Sequence, residues 1–173
     1  MRRAAIVLAL ATLQSASPAA AQRGGELSWA ISTCLRNIGD FHGAMQAYTA
    51  RGYRYSPEDF GGGPQDVIHW YTSPDGSVTA AIAFGGAHDG SSCRLVPKGI
   101  TVGQAVPYAR SAAEKLLGVP FKAGTPRGMI DDACGAWAKV GGCFVQIEAG
   151  SDGQDPICDA AAPAQIMINV TKG

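Results

Sequence analysis

Residues 135–148 read GAWAKV-GG-CFVQIE, and this stretch decides the fold. Gly141-Gly142 is a two-residue turn that strongly favours a tight antiparallel hairpin. Placing Val140 opposite Cys143 fixes the register. Cys134, Ala136, Ala138 and Val140 then share one face with Cys143, Val145 and Ile147. Trp137, Lys139, Phe144, Gln146 and Glu148 point to the other. One face is apolar and built for burial. The opposite face mixes aromatic, charged and amide side chains, as expected of an antiparallel sheet covered on one side only.

The same logic extends outward. Asp66–Ser73 and Ser77–Phe84 flank Pro74-Asp75-Gly76 and form a second hairpin. Cys93–Val96 reads as a short strand, and Ile166, Ile168 and Val170 alternate with Met167, Asn169 and Thr171 in a last one. Leu27, Ile31, Cys34, Ile38, Phe41, Met45 and Tyr48 form one helical stripe over residues 26–51, weakened near Gly39 and stopped at Gly52. Thr101 and Gln104 have the spacing of a capping box for a helix ending at Gly118, with Pro107 inside it. Residues 56–65, 85–92, 119–132 and 149–163 read as loops. The order is helix, hairpin, strand, then helix, hairpin, strand, with a Trp on the first strand of each hairpin (Trp70, Trp137). The expected fold is α+β: a two-layer sandwich, an antiparallel sheet with two helices on one face, and a loose αβββ repeat.

The N-terminus reads as an export signal. Arg2 and Arg3 precede the uncharged run Ala4–Leu13 and the small residues Ala19-Ala20-Ala21. That run is half the length of a membrane-spanning helix, which needs about 20 residues. Cleavage near Ala21 takes 21 residues from a chain of 173 and leaves 152, one domain over residues 22–173. The expected location is periplasmic or secreted, without stable membrane insertion. The mature segment holds 12 basic and 14 acidic residues, a formal charge of −2. No basic surface for nucleic acid is indicated.

All five cysteines fall in the mature segment, where an oxidising compartment favours disulfides. The hairpin register separates Cys134 from Cys143 by about 20 Å, whereas a disulfide needs Cα atoms within about 7 Å. The expected pairs are Cys34–Cys93 and Cys134–Cys158. Cys143 is then a free thiol, expected to be buried as a small apolar side chain.

Motifs of chemistry are sparse. His88-Asp89 with Ser91 and Ser92 gathers hydrolase residue types in one loop, yet neighbours in sequence rarely converge into a triad, and no G-x-S-x-G is present. His42, His69 and His88 lack metal-ligand spacing, and Asp152, Asp155 and Asp159 lack that of a calcium loop. Asp131-Asp132 reads as a turn. No metal or cofactor is expected. The candidate binding residues are Trp137, Phe144 and Gln146 on the uncovered sheet face, with His88 and Asp89 in the loop. The expected function is non-enzymatic binding of a protein or small molecule. The alternatives are a secreted hydrolase using the 85–93 loop, or an inhibitor or immunity-type protein.

Overall fold

The computed structural model describes residues 18–37, 40–61, 67–83, 92–126, 134–153 and 157–172. The helices are α1 (Pro18–Arg36), α2 (Phe41–Ala50) and α3 (Val102–Leu117). The strands are β1 (Arg54–Asp59), β2 (Val67–Thr72), β3 (Val78–Ala83), β4 (Ser92–Pro97), β5 (Lys122–Ala123), β6 (Gly135–Val140), β7 (Cys143–Ser151) and β8 (Ala164–Lys172). The deciding hairpin is β6–β7, with Val140 opposite Cys143 and Gly135 opposite Glu148. Both turn glycines have positive φ, +57° and +87°, the backbone such a turn demands.

All pairings are antiparallel, and the sheet order is β1-β2-β3-β4-β8-β7-β6-β5. The chain therefore builds two similar halves, each led by helix and followed by a four-strand meander. They meet back to back at the β4–β8 seam, so the last strand lies in the middle of the sheet.

The repeat is αββββ, one strand longer than the αβββ unit expected from sequence. The added strands, β1 and β5, are the sheet edges. All six residues of β1 and both of β5 are exposed, so neither carries the apolar alternation that betrays a strand. Pro57, within β1, is tolerated because an edge strand has one side free of ladder bonds. Four of the ten residues 56–65 read as loop, Ser56–Asp59, thus pair with β2, and β7 extends to Ser151, beyond the loop start expected at 149.

The first helical stripe divides in two. Asp40 caps α2, its side chain accepting the Gly43 N–H at 3.2 Å. A Cβ on Gly43 would lie 2.5 Å from the Asn37 side chain, so glycine permits the close approach of α1's end to the start of α2. Pro18–Ala21, the tail of the proposed export signal, form the first turn of α1, and residues 1–17 lie outside the described chain. Among described side chains the first buried one is Leu27, so cleavage at Ala21 spares that core.

The helices cover one sheet face. Leu27, Ala30, Ile31 and Leu35 of α1, Ala44 and Tyr48 of α2, and Val102, Ala105, Ala109 and Ala113 of α3 join one core. The sheet contributes Ala80, Ile82, Leu95, Ala136, Val145, Ile147, Ile166 and Ile168. Burying a single such Ile or Leu contributes about 1.5–3 kcal/mol. In the first half the core is aromatic. Tyr48 is fully buried, its hydroxyl donating to the Ala30 carbonyl at 3.3 Å, and its ring packs against Trp29, Tyr53 and Tyr71. In the second half, α3 lines the core with Val102, Ala105, Ala109 and Ala113, and Phe121 is buried just after it.

One disulfide joins helix to sheet and the other ties a loop to the sheet. Cys34 of α1 is bonded to Cys93 of β4, with Cα atoms 6.0 Å apart. Cys134, just before β6, is bonded to Cys158 in the loop before β8, at 5.7 Å. That loop also completes the start of α3. The Val102 and Gly103 N–H groups donate to the carbonyls of Ala162 and Ala160, at 3.0 and 3.1 Å. The Thr101 N–H donates to Gln104 Oε1 at 3.1 Å, the return leg of the capping box. At the far end Gly118 closes the helix with φ +69°. Pro107 is accommodated within an unbroken α3.

Candidate functional site

The antiparallel register lays side chains of the uncovered face in rows across the strands. One row runs unbroken from edge to edge: Glu58, Ile68, Ala83, Ser92, Asn169, Gln146, Trp137, Lys122. The row beside it holds Ser56, Trp70, Ala81, Arg94, Met167 and Glu148. Trp137, Phe144 and Gln146 all fall on this face and are all half-buried, as are Asn169, Met167 and Glu148. Alternate residues of the same strands, Ala136, Ala138, Val145 and Ile147, belong to the core beneath.

Trp137 and Phe144 form an edge-to-face pair with ring centroids 5.6 Å apart. They are neighbours on the diagonal, since Trp137 faces Gln146 and Phe144 faces Lys139. Two ammonium groups sit on these rings: Lys122 Nζ 4.9 Å from the Trp137 centroid and Lys139 Nζ 5.5 Å from that of Phe144. Among the described residues neither lysine forms a salt bridge. Gln146 Nε2 reaches Thr171 Oγ1 at 3.4 Å. The patch is thus two aromatics, two uncompensated cations, and a fringe of amide and hydroxyl groups.

Glu148 lies farther along the same face. Burial pushes its carboxyl above the ordinary range, with no neighbouring cation acting to lower it.

The matching position in the first half differs in charge. Trp70 donates its Nε1–H to Glu58 Oε2 at 2.9 Å, so this tryptophan is tied to an acid. Five inter-strand spacings separate the two tryptophans, about 24 Å measured across the sheet.

The other candidates do not join this patch. His88, Asp89, Asp131, Asp132 and Asp155 lie outside the described residues. His69 sits on the helix-side face at the β1 edge, its Nδ1 3.0 Å from Tyr55 Oη. Burial first, and then the charge of His42, lower its pKa. The fold therefore brings His42 and His69 near one another, which their sequence spacing conceals. Among the described residues no group of three or more His, Cys, Asp or Glu is arranged to hold a metal. Asp159 is engaged in its own turn, accepting the Ala161 N–H at 3.0 Å.

Cys143 is unbonded and half-buried, a correction to the expected buried thiol. It is the first residue after the turn, paired with Val140 and with Lys172 at the end of the sheet, where packing is thinner.

Lys122 is the site residue that sequence reasoning passed over. It lies in a segment read as irregular, and only its pairing with Trp137 carries it onto this face.

Comparison with known proteins returns no match among family models, curated proteins or solved structures. No described helix is long and apolar enough to cross a membrane.

Proposed function

We propose that this protein is an exported module that binds its ligand, without chemistry, on the uncovered sheet face around Trp137, Phe144 and Gln146. The observation that carries the reading is the Trp137–Phe144 pair, half-buried on a face that no described helix covers and flanked by Lys122 and Lys139. Aromatic side chains of this kind are enriched where surfaces bind, because they offer a large contact area with few rotatable bonds. Export follows from the Arg2-Arg3, Ala4–Leu13 and Ala19–Ala21 pattern. Two disulfides accord with an oxidising compartment.

The test is capture on immobilised mature protein, whose intact mass should begin at Gln22 with one alkylatable thiol. Wild type should retain material from envelope extract or spent medium that Trp137→Ala and Phe144→Ala do not. Identical retention by all three would remove the open face from the binding reading.

A further inference from the structure

We infer that the ligand of this face is an acidic polysaccharide, a chain of sugar rings bearing carboxylates. The inference rests on the binding reading above and adds the chemistry of the ligand. The charge argument comes first. Lys122 and Lys139 stand on the Trp137 and Phe144 rings with no acid paired to either among the described residues. An arriving carboxylate meets two ammonium groups without having to break an ion pair. The mature segment carries a formal charge of −2, so this pair is a local exception to its charge and not a sample of it.

The second argument separates a glycan from an acidic peptide. Sheets recognise extended peptides at their edges, where unpaired N–H and C=O groups extend the ladder. Here the patch is centred on β7, whose backbone is paired on both sides from Cys143 to Glu148, so contact there falls to side chains on the face. Those side chains are Gln146, Asn169 and Thr171, amides and a hydroxyl that both donate and accept. Sugar hydroxyls need that pairing, whereas peptide backbone groups would lie over side chains that only partly satisfy them. The C–H face of a sugar ring matches the negative face of an indole. From Lys122 to Asn169 the row crosses three strand spacings, about 14 Å, which places a cation, an aromatic ring and two amides in line.

Affinity electrophoresis of the full mature protein tests this, with polygalacturonate in the gel as the probe. Hydroxyethyl cellulose supplies the neutral polymer and poly-L-glutamate the acidic peptide. Polygalacturonate should retard wild type and the other two should not. Trp137→Ala, and Lys122→Gln with Lys139→Gln, should each weaken retardation by roughly tenfold or more, the size of a hot-spot truncation. Trp70→Ala should migrate as wild type, and circular dichroism confirms that each variant is folded. Added salt should weaken binding without abolishing it, since charge is screened and stacking is not.

Three results overturn the inference: no retardation by polygalacturonate, equal retardation by hydroxyethyl cellulose, or poly-L-glutamate binding that survives Trp137→Ala. If capture of native material depends on Trp137 while polygalacturonate fails, the glycan is wrong and the binding face stands. If both fail, the binding face falls too.

Discussion

The two halves of the sheet share a layout and differ in what they do with it. Each has a tryptophan on its second strand, projecting from the uncovered face. In the β1–β4 half, Trp70 is held by Glu58, and the charge is met within the protein. In the β5–β8 half, Trp137 carries the Lys122 ammonium and its neighbour Phe144 that of Lys139, neither in a salt bridge with a described acid. Below the sheet the contrast reverses. The first half packs the large rings of Trp29, Tyr48, Tyr53 and Tyr71 against its helices, and the second packs the alanines of α3 with Phe121, Val145, Ile147, Ile166 and Ile168. The duplicated architecture is a scaffold. The first half holds the aromatic cluster of the core and the second carries the proposed binding surface.

The strongest way to break that division is to damage each core. Tyr48→Ala removes a fully buried ring from the aromatic half and should cost about 3–5 kcal/mol in urea unfolding. Ala109→Leu overfills the tight α3–sheet contact and should cost less, about 1–3 kcal/mol. Equal costs would show that the halves are packed alike.

The disulfides sharpen the comparison. Cys34–Cys93 closes a separation of 59 residues and Cys134–Cys158 one of 24. On the loop-entropy account, replacing each pair by serines should cost about 4 and about 3 kcal/mol respectively. A larger loss from the shorter loop would mean that the bond's role in holding the 157–163 segment under α3 outweighs chain entropy.

The smallest effect concerns Glu148. Its folded carboxyl is raised above the unfolded value by burial, so the folded state favours the protonated form. That contribution is fully present below the unfolded pKa and is lost as pH rises through the folded one. Glu148→Gln should therefore raise the Tm slightly at pH 7, by less than about 1 kcal/mol in stability, and the gain should vanish on acidification below the ordinary glutamate range. A variant less stable than wild type at pH 7 would show that the charged carboxylate has a partner.

Much of this fold was legible in the sequence wherever burial imposed a period. Gly141-Gly142 set the β6–β7 register, and that register put Trp137, Phe144 and Gln146 on one face. The same geometry excluded Cys134–Cys143, and the structure pairs Cys134 with Cys158. What escaped were the edges. β1 and β5 are exposed along their whole length, so no face of theirs selects for apolar residues. That mattered for the candidate site, because Lys122 rides on β5. The break between α1 and α2 was visible only as a weakness near Gly39, since Phe41, Met45 and Tyr48 keep the stripe in phase across it. The His42–His69 approach depends on tertiary placement that no local pattern encodes.

The position of β8 has a consequence for how the chain comes to be folded. The strand that joins the halves, β8, is the last of the described strands in chain order, and it lies between β4 and β7. Without residues 164–172 the native pairings would leave two separate meanders of four and three strands, since β4 and β7 do not pair with each other. The native eight-stranded sheet therefore cannot close until residues 164–172 are available to pair with both neighbours.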